Sequence, residues 1–390
     1  MVTIIRKKAA DASTHFYATC PRGLSEGLAE ELKGLGATEV RVDPAGVAFE
    51  GDLALAYAAN LHSRLAARIL WRQARFEYTT EQDIYEGAKR VRWHAFFGIQ
   101  QTFKVEVAAV KSPVKSLDFV TLRIKDAIVD QFREAMGKRP SVESHKPDVR
   151  VHAFLDDKWC TLYLDTSGEP LFKRGKRDHV GEAPLKKNLA AGILRMAGWK
   201  PGMPLLDPMC GSGTFLSEAA EMTFNWAPGR GREFGFEKLT NYDAALWEPM
   251  REAAAAQEKP LTPLPIFGSD LYGRSVDNAR GNLVDAGLET VVSLKQVNIL
   301  EMSAPAPEGI MVTNPPYGVR LGEKEELAKF YPEFGNLLKQ KFSGWNCYIL
   351  TADMDMPKVI RLKATKRTVL YNGALECRLF EYKIVAGGNR

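Results

Sequence analysis

One ten-residue stretch restricts the fold more than any other part of the chain: Leu205-Leu206-Asp207-Pro208-Met209-Cys210-Gly211-Ser212-Gly213-Thr214. An apolar strand ends in a carboxylate, and a glycine-bearing turn opens directly into the helical pattern TFLSEAAEM. Glycines let the backbone approach a ligand closely, and free N–H groups at a helix start hold a ligand's carboxylate. The turn lacks the G-x-G-x-x-G that binds a pyrophosphate, so it is not the dinucleotide fingerprint. An acidic strand end in front of the glycines favours a ligand with an aminoacyl group, whose ammonium the carboxylate accepts. A lone GSG turn is weak evidence, since it also reads as a structural strand-to-helix connection.

Its surroundings decide between these readings. After Gly168 strands alternate with helices, the pattern of a parallel sheet covered on both faces. The predicted strands are PLLD, PIFGSD, VVSLKQVN, GIMVTN and WNCYILTA, and RTVLYNGALECRLFEYKIV adds two antiparallel strands joined at Asn372-Gly373. Residues 224–265, rich in Pro, Gly, Trp and Ala, read as a partly helical insertion. Upstream, HFYATC, PRGLSEGLAEELKGLG, TEVRV, GVAFEG and LALAYAANLHSRLAARIL give a β-α-β-β-α order, a small ferredoxin-like module over residues 1–70. Residues 71–166 read as a second α+β module. It has helices over TEQDIYEGAKRVRWHAFF and SLDFVTLRIKDAIVDQFREAMG, and strands TFKVEVAAV, VRVHAFLD and KWCTLYLD. Residues 167–390 form the α/β domain.

Composition excludes several classes. No apolar run approaches a membrane span, and the opening MVTIIRKKAADAS lacks the features of a secretory signal. A cytoplasmic location without a membrane is expected. Five scattered cysteines and six scattered histidines, with no CxxC pair, suggest neither a disulfide framework nor a metal site. The net charge of +5 permits a polyanionic partner. Basic residues cluster at KRGKR (173–177), Lys186-Lys187, KVIRLKATKR (358–367) and Lys89-Arg90-Arg92. A charge run is ordinarily a solvated face, but here Lys173, Arg174, Lys176, Arg177 and Lys186 are candidate RNA contacts.

Two further strand ends carry chemistry. Gly268-Ser269-Asp270 places an acid where it would chelate the ribose hydroxyls of an adenosine, and Asn298 follows at the next strand end, suited to accept from an adenine amino group. Asn314-Pro315-Pro316-Tyr317-Gly318 follows the apolar strand GIMVT. An amine conjugated to a base is a poor nucleophile because its lone pair is delocalised into the ring. Acceptance of its two N–H bonds, by the Asn314 side-chain oxygen and the Pro315 carbonyl, would draw the nitrogen toward tetrahedral geometry. The prolines fix the backbone that presents the carbonyl, and Tyr317 would stack on the base. Together these features imply an S-adenosylmethionine-dependent methyltransferase acting on an exocyclic amine of a nucleic-acid base. Asp207, Pro208, Cys210, Gly211, Gly213, Thr214, Asp270, Asn298 and Asn314 would surround the cofactor. Cys210 sits in that turn as a packed small residue, on the wrong strand to attack a base.

The chain also resembles the THUMP-domain methyltransferases of bacterial ribosomal RNA. These include the N-terminal half of the bifunctional large-subunit guanine-N2 and N7 enzyme and free-standing proteins named as N6-adenine DNA methylases. The carriers are NLHSRLAARIL, DIYEGAKRVRW, KDAIVDQF, LFKRGKRDHVGEAPLKKNLAA, LLDPMCGSGTFLSEAA, VTNPPYGVRLGE and YNGALECRLFEY. The resemblance implies a Rossmann-like class I methyltransferase domain preceded by ferredoxin-like and THUMP domains. It also implies a loop of Glu182, Ala183 and Pro184 near the methionyl end of the cofactor, and 23S ribosomal RNA or a large-subunit precursor as partner. Two departures stand out: Lys176 replaces the tyrosine of the usual R-G-Y-R, and Asn298 replaces a commoner aspartate. With one catalytic domain, the second activity of the fused enzyme is expected to be absent. Guanine-N2 methylation of 23S RNA is the leading expectation, with the same chemistry on transfer RNA next and adenine-N6 methylation of DNA third. A non-enzymatic RNA-binding assembly factor is disfavoured by the intact Asp207, GSG, Asp270 and NPPY.

Overall fold

The computed structural model describes residues 14–175, 185–316 and 323–385. The chain builds two seven-stranded sheets. The first holds β1 (Thr14–Thr19), β2 (Thr38–Asp43), β3 (Gly46–Gly51), β4 (Arg68–Glu77), β5 (Phe103–Ala109), β6 (Val149–Leu155) and β7 (Trp159–Asp165). Their order is β2-β3-β1-β4-β7-β6-β5, antiparallel except for β5 beside β6. Helices α1 (Ser25–Gly34), α2 (Leu53–His62), α3 (Glu81–Lys89) and α4 (Leu117–Met136) line one face. Phe16, Ala18, Phe49 and Ile69 share a core with Leu28, Leu32 and Ala56, while Val151, Ala153 and Leu162 share another with Ile84, Ile124 and Ile128.

Strand β4 joins the two halves, pairing with β1 on one side and with β7 on the other. Apolar periodicity through Leu70 predicts a helix there, yet α2 ends at His62 and the chain is extended again by Arg68. The reversal is held by a buried carboxylate. The Ser63 hydroxyl donates to Glu31 at 2.7 Å, and Leu65 N–H donates to the same group at 3.3 Å. Ser63 in turn accepts from Ala66 N–H at 3.0 Å. With the backbone satisfied, Ile69 turns inward opposite Ala18. The helix predicted over TEQDIYEGAKRVRWHAFF is shorter as well: α3, capped by Thr80 and Asp83, ends at Lys89, and a 3-10 turn covers Trp93–Ala95.

The second sheet holds β8 (Leu205–Asp207), β9 (Ile266–Asp270), β10 (Ser293–Gln296), β11 (Gly309–Thr313), β12 (Trp345–Thr351), β13 (Lys366–Asn372) and β14 (Leu375–Lys383). The order is β10-β9-β8-β11-β12-β14-β13, with the first five parallel and the last two an antiparallel hairpin edge. Helices α5 (Lys187–Met196), α6 (Thr214–Thr223), α7 (Ala244–Ala256), α8 (Gly273–Asp285), α9 (Glu323–Lys341) and α10 (Met356–Val359) accompany it. The chain steps outward from β8 through β10, then resumes at β11 on the other side of β8. Open α/β sheets bind ligands at the carboxyl ends of the strands that flank such a reversal, here β8 and β11. The 224–265 insertion carries α7 and a 3-10 turn at Gly235–Lys238, and it braces the N-terminal half. Phe236 stacks on Tyr57 of α2 at 4.2 Å, with the Trp247 ring edge-on to Tyr57 at 6.0 Å. Among the described residues, no helix is long and apolar enough to cross a membrane.

Candidate active site

The acids and amides read from the sequence gather along the carboxyl edge of the second sheet. Asp207 is the last residue of β8, opposite Gly268 of β9, and Asp270 ends β9 opposite Gln296 of β10. Asn298 follows β10 immediately, and Asn314 follows β11, whose Met311 lies opposite Leu206. The turn after β8 is stitched to β9. Cys210 N–H donates to Ser269 O at 2.9 Å, and Gly211 N–H donates to an Asp270 carboxylate oxygen at 3.0 Å. Tyr272 N–H donates to the other Asp270 oxygen at 3.1 Å. The glycines are needed here, since Gly211 (φ 51°) and Gly213 (φ 74°) are both left-handed. A side chain added at Gly211 would enter open space, the cradle a ligand would fill, whereas one at Gly213 would press on Ala279 at 3.2 Å.

Electrostatics make the edge receptive to a cation. Asp207 is fully buried, and burial, reinforced by Asp270, pushes its carboxyl up to about 8. Among the described residues neither carboxylate has an ion-pair partner, so a ligand bringing an ammonium and hydroxyl donors fits this pair. Burial, then the nearby Asp207 and Asp270 carboxylates, push the Cys210 thiol far up, which leaves it a packed residue and no nucleophile. Pro208, Thr214 and Pro315 are buried, Asn314 is half-buried and Pro316 is exposed. The Asn298 side-chain oxygen already caps the 3-10 turn Ile299–Glu301 by accepting from Leu300 N–H at 3.0 Å. An adenine amino group would have to share that oxygen.

The basic stretch needs correcting. Arg174 is buried and faces inward: its guanidinium pairs with both Glu218 oxygens at 2.9 Å and donates to Arg64 O at 2.6 Å, so it does not reach RNA. Lys187 is likewise buried against Glu221 at 2.5 Å. Lys173 is exposed and pairs with Glu169 at 2.9 Å, and half-buried Lys186 lies over the Phe172 ring at 4.7 Å. Lys176, Arg177, Glu182, Ala183, Pro184 and Tyr317 lie outside the described residues.

Sequence reading missed Arg64, Glu218 and Glu221. Arg64 reaches from the end of α2 to Glu218 at 2.9 Å, so Arg64, Arg174 and Lys187 converge on α6 after the Gly211–Gly213 turn. The signal was a pair of acids inside an otherwise apolar helix, which only buried cations could balance.

Comparison with known proteins agrees with this architecture. Residues 174–381 match the model described as RMKL-like, methyltransferase domain. The chain belongs to the RMKL-like methyltransferase family. In this RMKL-like methyltransferase, residues 78–165 match a THUMP domain and residues 15–70 match an RlmL ferredoxin-like domain. A Synechocystis sp. protein named as an RNA methyltransferase is 38% identical over 95% of this chain and 96% of its own length. The ribosomal RNA large subunit methyltransferase K/L of Methylococcus capsulatus is 42% identical over 95% of this chain, which spans only 51% of that longer protein. A solved methyltransferase complexed with S-adenosylhomocysteine superposes with a TM-score of 0.85 at 32% identity, covering 95% of this chain and 98% of the other.

Proposed function

We propose that this RMKL-like methyltransferase transfers a methyl group from S-adenosylmethionine to the exocyclic N2 of a guanine in large-subunit ribosomal RNA. The observation that carries this reading is the placement of the buried Asp207–Asp270 pair and of Asn314-Pro315-Pro316 at one sheet edge, behind a THUMP-matched module. Bound S-adenosylmethionine supplies a methyl group already activated on a sulfonium. Asp207 accepts from the methionyl ammonium, the Gly211–Gly213 turn receives the carboxylate end, and Asp270 holds the ribose hydroxyls. The Asn314 side-chain oxygen and the Pro315 carbonyl accept the two N–H bonds of the target amine and aim its lone pair. Alignment and electrostatics then suffice, without a strong base or covalent intermediate. Methyl-label transfer to unmodified ribosomal RNA, transfer RNA and DNA, followed by nucleoside analysis, tests the proposal. N2-methylguanosine in ribosomal RNA is expected. Label confined to transfer RNA would change the substrate, and label confined to DNA adenine would overturn the RNA reading.

Two variants probe the cofactor side. Asp270→Ala is expected to weaken S-adenosylhomocysteine binding about 10–100-fold by calorimetry, the cost of hydrogen bonds to a charged group. Unchanged affinity would sink that assignment. The second concerns pH. Asp207 is raised from 3.8 to about 8, so folding favours its protonated form. Its contribution is therefore present below pH 3.8 and lost progressively up to about pH 8. The ligand-free protein should lose up to about 1.4 kcal/mol of stability per pH unit across that window from this group. Denaturation of Asp207→Asn should show a flatter pH dependence, and an identical profile would mean that the carboxylate is compensated.

A further inference from the structure

The helices cover one face of the N-terminal sheet, and the strand register shows what the other face carries. Tyr17 of β1 lies opposite Leu70 of β4. Farther along β4, Arg72 is opposite Tyr163, Arg75 opposite Thr161, and Glu77 opposite Trp159. On β6, Phe154 faces the same Thr161. Side chains directly opposite share a face, so Tyr17, Arg72, Arg75, Phe154, Trp159 and Tyr163 point away from α1–α4 together. The patch crosses residue 70 without a break and draws on both N-terminal modules.

We propose that this open face is a platform for unpaired RNA, with bases laid on its rings and phosphates held by Arg72 and Arg75. The proposal rests on the RNA-substrate reading above and adds where the RNA lies. Rings are offered in the required way: Tyr17 and Tyr163 stand 6.3 Å apart across β4, and Phe154 is 39% exposed. Arg75 is exposed and lies over the Trp159 ring at 4.5 Å, a flat cationic surface on which a base stacks. Charge points the same way. Three carboxylates on this face have basic neighbours: Glu50 has His15 at 3.1 Å, Glu77 has Lys158 at 2.9 Å and Glu106 has Lys104 at 3.1 Å, while Asp43 accepts from the Tyr17 hydroxyl at 2.6 Å. Arg72 and Arg75 belong to none of those pairs and give the platform its positive balance. A broad sheet face accepts splayed bases, whereas a duplex hides its bases and offers only its backbone and grooves.

The test is binding of a labelled single-stranded RNA oligonucleotide, and of the same strand annealed into a duplex, by the full chain and by an Arg72→Ala/Arg75→Ala double variant. The double variant is expected to bind the single strand about tenfold or more weakly. Its salt slope should be shallower by about 1.4, the share of two phosphates, with S-adenosylhomocysteine affinity and thermal midpoint unchanged. Arg72→Lys/Arg75→Lys should restore the slope but only part of the affinity, because ammonium groups do not stack. Wild-type affinity in the alanine variant would overturn the platform while leaving the RNA reading intact. An equal loss on the duplex would overturn its preference for unpaired RNA. Failure of the unaltered protein to bind either probe would overturn the RNA reading and the platform together.

Discussion

Asn314→Ala is expected to cut methyl transfer about 10²–10³-fold, the usual cost of deleting one preorganised polar group that acts at the reacting centre. Affinity for S-adenosylhomocysteine should stay close to that of the unaltered protein. The split follows from position. Asn314 lies just beyond β11, across the topological reversal from the turn that begins at Asp207 and is tied to Asp270. Removing its side chain should leave that turn intact and take away one of the two acceptors proposed for the target N–H bonds. Asn314→Asp keeps an acceptor oxygen and should fall between the alanine variant and the parent. Single-turnover transfer with calorimetry on the same preparations decides the matter. A variant with most of its rate would remove the amine-holding role, and one that lost cofactor affinity instead would reassign the residue to the cofactor.

Glu218→Ala is expected to destabilise the fold by about 3–5 kcal/mol, because it strips the counter-charge from buried guanidinium groups. Arg174 and Glu218 are almost wholly inaccessible, and Arg64 is 15% exposed, so solvent cannot replace the missing carboxylate. Burial alone would raise the Glu218 carboxyl; Arg174, Arg64 and Lys187 hold it below the usual value of 4.5. Its stabilisation is therefore present above pH 4.5 and lost as pH falls through the lower folded value. Denaturant unfolding of the alanine variant should show a lower midpoint together with a weaker acid dependence. A change under about 1 kcal/mol, a surface-pair magnitude, would mean that water reaches the cluster.

The placing of the candidate residues along the carboxyl edge was legible because those residues are punctuation. Strand ends, glycines with positive φ and a proline pair are local features, and one strand–turn–helix unit contains most of them. The ferredoxin-like module was legible from strand and helix order, whereas that order showed only an α+β module over residues 71–166 and the resemblance alone named it THUMP. The course of residues 63–70 was not, because the apolar spacing of LHSRLAARIL suits a helix as well as a strand. What decides it is Glu31, more than thirty residues upstream, whose carboxylate captures Ser63 and Leu65. The inward course of Arg174 escaped for the same reason. A basic run looks solvated until the acids of a distant helix are brought against it, and Glu218 lies 44 positions away.

Strand β4 has a mechanical consequence. It is ten residues long, so at about 3.3 Å per residue it runs for roughly 33 Å as a single ribbon. Neighbours from both N-terminal modules are hydrogen-bonded along it. A flexible tether would let those modules swing independently. A shared ribbon transmits torsion from one to the other and leaves no swivel between them. The pair is expected to turn as one plate, with any give within this strand confined to the bulge between Arg72 and Ala74.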